Sequence, residues 1–209
     1  MFDVVALLHR SAGSDTDRLI GELRTDALAS GAREVLVQPT LPGVRNGGDI
    51  LVRLRFDDAA AWRASRWSWA AVTGRADIGH VDGVEYRDGV GGTAEPATGS
   101  VYRVLLLRVA PGTPTATIER FEADLLRMPH YISTIRSWRL SRVAGAVGSS
   151  PWTHVWEQEF SDLDGLNGPY LMHPVHWALV DRWFDPEHPD VIVRDRICHS
   201  FCVNEPLRG

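Results

Sequence analysis

The segment from Tyr170 to His176 reads YLMHPVH and carries side chains that can bind or move a proton. An imidazole titrates near neutrality, so it can remove a proton from a carbon next to a carbonyl group. A phenol can hydrogen-bond the oxygen on which charge then develops. A carboxylate on the other imidazole nitrogen would fix the tautomer and support the charged form. His176, Tyr170 and Asp195 supply this set and predict general acid/base chemistry.

The spacing of Tyr170 and His176 requires a break in the helix that carries them. Six residues of an unbroken α-helix turn about 600°, which leaves the two side chains about 120° apart. Pro169 and Pro174 disfavour regular helix before them, and proline suits a first helical turn. We therefore expect His176 in the first turn of a helix and Tyr170 on the approach to it. His173 suits helix capping and is also a candidate substrate contact.

A strand predicted at 152–160 offers an aromatic face near these residues. Alternation places on this face Trp152, His154, Trp156, Gln158 and Phe160. If the face lines a cavity, Trp152 and Trp156 form a flat apolar slot and His154 adds a polar contact, which suits a ring or an unsaturated chain. The alternative is that both tryptophans belong to the core.

Other roles for these polar residues stay open. Asp195 could pair with Arg194 or Arg196 instead of a histidine, and a histidine near a helix start is often structural. A zinc site is a further alternative, its three ligands being His154, His173 and His176. No acidic ligand stands at a matching spacing, so we predict neither a metal nor a cofactor.

Hydrophobic periodicity predicts the element order βαββαβ twice. In the first half we expect strands at 3–9, 33–38, 49–56 and 78–87, a helix that Ser14 caps and Gly31 ends, and a helix at 57–74. In the second half we expect strands at 101–109, 132–143, 152–160 and 191–203, and helices at 113–128 and 162–184.

Between the halves, residues 88–100 read DGVGGTAEPATGS, which is linker composition. The predicted domains are therefore 1–87 and 101–209. The fold class is α+β, with two ferredoxin-like repeats fused in one chain and their sheets packed as an α/β barrel. Such a chain is a pseudo-dimer of what a single-unit homologue makes by dimerising, and a further homodimer remains open.

Composition narrows the class of partner. All 22 basic residues are arginine, they are interleaved with 27 acidic ones, and the net charge is -5, which argues against nucleic acid. The absence of lysine excludes Schiff-base chemistry on a side-chain amine. Apolar runs are too short for a membrane span, and no signal peptide is recognisable at the start, so we expect a cytoplasmic protein. Cys198 and Cys202 lie about 13 Å apart on one predicted strand, too far for a disulfide within it.

Three segments together resemble the stress-responsive dimeric α/β-barrel family, called Dabb. They are YLMHPVH at 170–176, WTHVWE at 152–157 and DVIVRD at 190–195, and the resemblance covers about 101–203. The core motif resembles that of olivetolic acid cyclase-type members. In the repeat register Arg66, Trp69 and Val72 stand where the second half has Tyr170, His173 and His176. The first half therefore lacks the motif, which predicts one site per chain.

The resemblance implies a small-molecule enzyme without a cofactor. By analogy His176 would be the base, Tyr170 would bind a substrate carbonyl, and Asp195 would hydrogen-bond His176. We expect a cofactor-independent cyclase or lyase acting on a small aromatic or polyketide-like carbonyl substrate. The alternatives are a non-enzymatic small-molecule-binding or stress-response protein, and a cofactor-free or haem-dependent monooxygenase.

Overall fold

The computed structural model describes residues 1–207, which contain one antiparallel sheet and two groups of helices. The strands are β1 (Phe2–Arg10), β2 (Glu34–Pro39), β3 (Ile50–Phe56), β4 (Ile78–Arg87), β5 (Val90–Thr93), β6 (Val101–Leu107), β7 (Ile135–Val147), β8 (His154–Phe160) and β9 (Cys198–Val203). The helices are α1 (Thr16–Leu28), α2 (Ala59–Ala64), α3 (Trp69–Thr73), α4 (Thr115–Tyr131) and α5 (Leu163–Gly165). After α5 come π-helical turns at Leu166–Tyr170 and Val175–Val180 and a 3-10 turn at Asp181–Trp183.

The strand order follows the same pattern in each half of the chain. The sheet runs β2-β3-β1-β4-β7-β8-β6-β9, with β5 paired to β7 beside this path, and its neighbours are antiparallel. In each half the first strand is central and its helices pack on one face of the sheet. This is the α+β, ferredoxin-like arrangement with an antiparallel sheet that the sequence predicts.

The two halves share one sheet instead of forming two sheets that pack as a closed barrel. The tail of β7 reaches Val147 and pairs with β4, so the halves are joined edge to edge. The outer strands β2 and β9 approach each other only through isolated bridges, which are Val35–Leu207, Thr40–Cys202 and Arg45–His199. The sheet is therefore not closed by a continuous ladder of hydrogen bonds. The prediction of two sheets packed as a closed barrel was wrong on this point.

Both faces of the central strands are buried. In β1, Val4 and Leu8 pack towards the helices of the first half, whereas Val5 and Leu7 pack towards apolar residues of the second half. Successive side chains of a strand point to opposite faces, so one continuous apolar run serves both cores. The contact between the halves includes Trp152 and both cysteines.

A network of charged side chains crosses this contact. Asp3 is fully buried and accepts hydrogen bonds from Arg55 at 2.8 Å and from Arg139 of the second half at 2.9 Å. Arg139 also donates to Glu157 at 2.7 Å. A buried carboxylate needs such partners, since without them its desolvation is costly. The network therefore joins the two halves through charged hydrogen bonds.

Several element boundaries in the first half differ from the prediction because local hydrogen bonds decide them. The side chain of Asp15, not Ser14, caps α1 by accepting from the Arg18 N–H. The helix expected at 57–74 is two short helices, each capped by its own residue, Asp58 for α2 and Ser68 for α3. The predicted linker at 88–100 contains β5, which pairs with β7.

In the second half, tertiary contacts override local signals. Helix α4 includes Pro129 and ends at Tyr131, and β7 continues through the glycine-rich segment to Val147. The strand expected at 191–203 begins only at Cys198. The residues before it run beside the 3-10 turn, where the N–H groups of Ile192 and Val193 bond to the carbonyl of Trp183.

Both cysteines are free thiols buried between the halves. Burial raises the pKa of Cys198 and that of Cys202 to about 12. Because the thiolate is the reactive form, we expect the native protein to release no chromophore from Ellman's reagent at pH 8. Two thiols per chain should react after unfolding in guanidinium chloride. A rapid reaction of the native protein would show that the contact between the halves opens.

Candidate functional site

A cavity of about 290 Å³ lies between the sheet and the π-helical turns of the second half. Strands β6, β8 and β9 form the side of the cavity towards the sheet. The π-helical turns and the segment after them cover the opposite side. The lining residues are Arg45, Arg103, Leu105, Leu125, Trp156, Tyr170, Leu171, His176, Val180, Asp181, Phe184, Ile197 and His199. Arg45 is the one residue of this lining that comes from the first half.

The break between the two π-helical turns brings Tyr170 and His176 together. His173 stabilises this break, because its Nδ1 accepts from the Val175 N–H at 3.1 Å and its carbonyl accepts from the His176 N–H at 2.9 Å. The rings of Tyr170 and His176 then meet edge to face with centroids 4.8 Å apart. The expected interruption of the helix is present, and His173 lies outside the cavity lining.

The carboxylate beside His176 belongs to Asp181. Its Oδ1 lies 3.4 Å from Nδ1 of His176, which leaves Nε2 as the other ring nitrogen for a substrate. Asp195, assigned to this place from the sequence, instead accepts from Arg108 at 2.8 Å and lines a neighbouring groove. Asp195 is not part of the cavity lining, although Ile197 and His199 after it are, and the 3-10 turn after the second π-helical turn provides the carboxylate instead.

The phenol of Tyr170 is buried and neutral. Burial raises its pKa above the ordinary value, and the nearby Arg103 guanidinium opposes this only in part. The centre of the guanidinium lies 5.3 Å from the centroid of the tyrosine ring. A neutral phenol keeps its proton at neutral pH, so Tyr170 can donate a hydrogen bond to a carbonyl oxygen.

Two residues on the sheet side of the cavity were not singled out from the sequence. Arg103 lies on β6, where its Nη1 donates to Oε1 of Gln158 at 2.6 Å, and His199 lies on β9. Burial lowers the pKa of His199 to about 3, with further lowering from the charges of Arg103 and His176. Its imidazole is therefore neutral. The signal for Arg103 was present as a charged residue on the inward face of an otherwise apolar strand.

The aromatic face predicted for β8 reaches the cavity only at Trp156. His154 lies outside it, with Nε2 3.0 Å from Glu122 and Nδ1 2.8 Å from Thr153, so both ring nitrogens are occupied. Trp152 packs on the opposite face, between the halves. The ladder of β8 begins at His154, and the predicted alternation therefore does not extend back to Trp152.

The histidines of the zinc alternative do not form a cluster. Within residues 1–207, no group of three or more His, Cys, Asp or Glu side chains is arranged to hold a metal ion. In the same range, no helix has both the length and the apolar character needed to cross a membrane.

The sequence of the second half matches a family model. The match spans residues 101–198, and the family is described as the stress responsive A/B barrel domain, Dabb. The second half of the chain is therefore similar to a Dabb domain over these residues. The cavity described above is lined by residues of this half, and two of its lining residues lie outside the matched range: Arg45 of the first half and His199 on β9. A comparison with curated proteins found no match.

Solved structures resemble the whole chain, including the half that precedes the residues matched by the family model. An anthrone oxidase-like protein matches 99% of this chain and 92% of its own with a TM-score of 0.70 and 10% identity. A candidate monooxygenase of Fusobacterium nucleatum subsp. nucleatum ATCC 25586 matches 100% of this chain and 94% of its own, with a TM-score of 0.63 and 10% identity. A second candidate monooxygenase, from Lactobacillus acidophilus NCFM, has a TM-score of 0.55 over 99% of this chain and 97% of its own, again at 10% identity. At this identity the likeness shows the fold.

Proposed function

We propose that the protein is a cofactor-independent enzyme that removes a proton from a small aromatic or polyketide-like carbonyl substrate. The observation that carries the proposal is the Tyr170–His176 pair, with rings 4.8 Å apart at a cavity of about 290 Å³. Asp181 backs the imidazole, and Trp156 and Leu105 give the cavity an apolar wall. A cavity of this size suits one ring with short substituents.

The first step is the transfer of a proton from carbon to the imidazole. Nε2 of His176 takes the proton, and the electron pair of the C–H bond forms an enolate whose oxygen accepts a hydrogen bond from Tyr170. In a cyclase, the enolate carbon then attacks a second carbonyl of the same molecule and a carbon–carbon bond forms. The imidazolium returns its proton to the resulting alkoxide, so the histidine ends each cycle neutral. A lyase would use the same groups in the reverse direction.

Oxygenation is the second candidate function. It is favoured by the names of the structures that match the whole chain, an anthrone oxidase-like protein and two candidate monooxygenases. The first step would be the same proton abstraction. Dioxygen would then oxidise the deprotonated carbon, and one oxygen atom would become a new carbonyl group while the other left as water.

A ligand screen followed by product analysis tests these alternatives. Aromatic ketones, polyketide-like diketones and cyanohydrins that raise the melting temperature are incubated with the protein in air and under nitrogen. A ring-closed or cleaved product under both gases supports the cyclase or lyase, and a product that requires air supports the oxygenase. A coloured protein with a Soret band would indicate haem. Recovery of every bound ligand unaltered would overturn the enzymatic proposal in favour of a binding or stress-response protein.

Asp181 is expected to act as a positioning residue for His176. In Asp181→Asn we expect kcat to fall about tenfold with KM unchanged, since the carboxylate orients the base and supports its charged form. Asp181→Glu should restore part of the rate. Asp195→Asn is the comparison, because its carboxylate pairs with Arg108. A larger loss of kcat in Asp195→Asn would reinstate the assignment made from the sequence.

The relation between the halves also belongs to this proposal. We infer that the chain is a tandem pair in which the first half kept the fold without the motif and completes the core of the second. The common order of strands and the arginine–carboxylate network across the contact support this. Cytoplasmic localisation and a further homodimer stay predictions.

A further inference from the structure

The cavity contains a buried positive charge without a carboxylate partner. Arg103 is 4% exposed, and its neighbours are neutral: its Nη1 donates to the amide of Gln158, and its guanidinium lies 5.3 Å from the centroid of the Tyr170 phenol ring. Its Nε is buried and has no acceptor. A buried charge is ordinarily paired, because desolvation without compensation costs several kcal/mol.

The buried Arg53 and the partly buried Arg139 of the sheet do not share this property. Arg53 lies 3.0 Å from Glu34, and Arg139 lies within 2.9 Å of both Asp3 and Glu157. The chain therefore supplies carboxylates to the arginines between its halves. It leaves the arginine in the cavity without one.

Other groups around the cavity also lack partners. The indole Nε1 of Trp156 and Nε2 of His199 are buried without a hydrogen bond. The one carboxylate of the lining, Asp181, is half-exposed and faces His176. The cavity thus offers a cation and an unpaired indole N–H, and a ligand that accepts hydrogen bonds would satisfy them.

A groove next to the cavity extends the positive charge of the cavity to the surface. The two share Arg45, Phe184 and Ile197, and the groove adds the exposed Arg194 and Arg196. Its acidic members are Glu187 and Asp195, and Asp195 is already bonded to Arg108. Three arginines at an entrance favour the approach of an anion.

We propose that the ligand of this cavity carries a carboxylate group and that Arg103 is the residue that selects it. This deepens the proposed function, since it names the class of carbonyl substrate as an aromatic or unsaturated acid. The carboxylate lies against Arg103 on the sheet side, and the reacting carbon faces Tyr170 and His176. The missing counter-ion of Arg103 is then supplied by the substrate.

Binding of a matched pair of probes tests this directly. By calorimetry, the wild-type protein should bind 2,4-dihydroxybenzoate about 10- to 100-fold more tightly than 2,4-dihydroxybenzamide, the range expected for a charge-assisted hydrogen bond. In Arg103→Gln the preference should disappear, because binding of the benzoate weakens while binding of the benzamide is unchanged. Arg103→Lys should keep part of the preference. Arg108→Gln, outside the cavity, should keep all of it. An equal affinity of the wild-type protein for both probes would overturn the proposal without reference to any variant.

The melting temperature of Arg103→Gln separates selection from a structural role. Removing an uncompensated charge should leave the melting temperature of the unliganded protein unchanged or raise it. A fall of more than a few degrees would assign Arg103 to the fold. If the protein prefers the carboxylate but turns over no aromatic acid, the catalytic proposal is refuted and the selection of acids stands. If the protein turns over neutral ketones and Arg103→Gln keeps that turnover, the selection of acids is refuted and the catalytic proposal stands.

Discussion

Replacement of His176 by alanine is expected to reduce turnover about 10²- to 10⁴-fold, the contribution of a positioned general base. The imidazole is the only group at this cavity with Nδ1 turned to a carboxylate and a second nitrogen left for substrate. His199, the other histidine of the lining, is held neutral by burial that lowers its pKa to about 3. It is therefore too weak a base to substitute for His176 at neutral pH.

The fold should tolerate this change. His176 is half-buried at the edge of the cavity, so the melting temperature of His176→Ala should stay within a few degrees of the wild-type value. His130→Ala, on the exposed side of α4, is the control and should keep full turnover. Turnover of His176→Ala within threefold of the wild-type rate would contradict the assignment of the base.

The largest effect on stability is expected for Asp3→Asn. We expect the free energy of unfolding to fall by about 3–5 kcal/mol, because the change removes a fully buried carboxylate that two partly buried arginines share. The measurement is denaturation in guanidinium chloride at pH 7. Asp57→Asn breaks the exposed pair that Asp57 forms with Arg33 and should cost at most about 1 kcal/mol. Equal losses in the two variants would show that the network does not hold the halves together.

The difference in unfolding free energy between the wild-type protein and Asp3→Asn should depend on pH in a defined direction. Burial of Asp3 would raise its pKa, but hydrogen bonds and charge from Arg139 and Arg55 outweigh this, and the pKa lies below the ordinary 3.8. A carboxyl group with a lowered pKa in the folded state stabilises that state above the pKa of the unfolded chain. The stabilisation is lost as the pH falls through the folded pKa. The gap between wild type and Asp3→Asn should therefore be constant above about pH 5 and narrow below pH 4.

The order of elements was predictable because it depends on local patterns. Alternation and helical spacing identified the βαββαβ order of each half, and the two prolines around Tyr170 indicated the break that the structure shows. The joining of the halves through β4 and β7 was not predictable in this way. The glycine-rich end of β7 has weak strand propensity on its own, and it is extended because β4 supplies the hydrogen bonds.

Site residues were predictable where one segment of the chain carries them. The prediction failed where segments that are distant in sequence meet. Tyr170 and His176 lie in one motif, and the structure brings them together. Asp181 was missed because only the tight turn after the motif returns its carboxylate to His176. Arg103 and His199 reach the cavity through the pairing of β6 with β9, a long-range register that the sequence does not display.

Hydrogen–deuterium exchange into a carbonyl ligand tests the central claim most directly, because it reports proton abstraction whatever reaction follows. The ketone ligands found in the screen are incubated in D₂O with wild-type protein, His176→Ala or His130→Ala, and deuterium at the carbon next to the carbonyl is followed by NMR. We predict enzyme-dependent exchange with wild type and His130→Ala, and exchange at the uncatalysed rate with His176→Ala. Exchange of equal rate in all three samples, or none above the uncatalysed rate in any, would contradict the account.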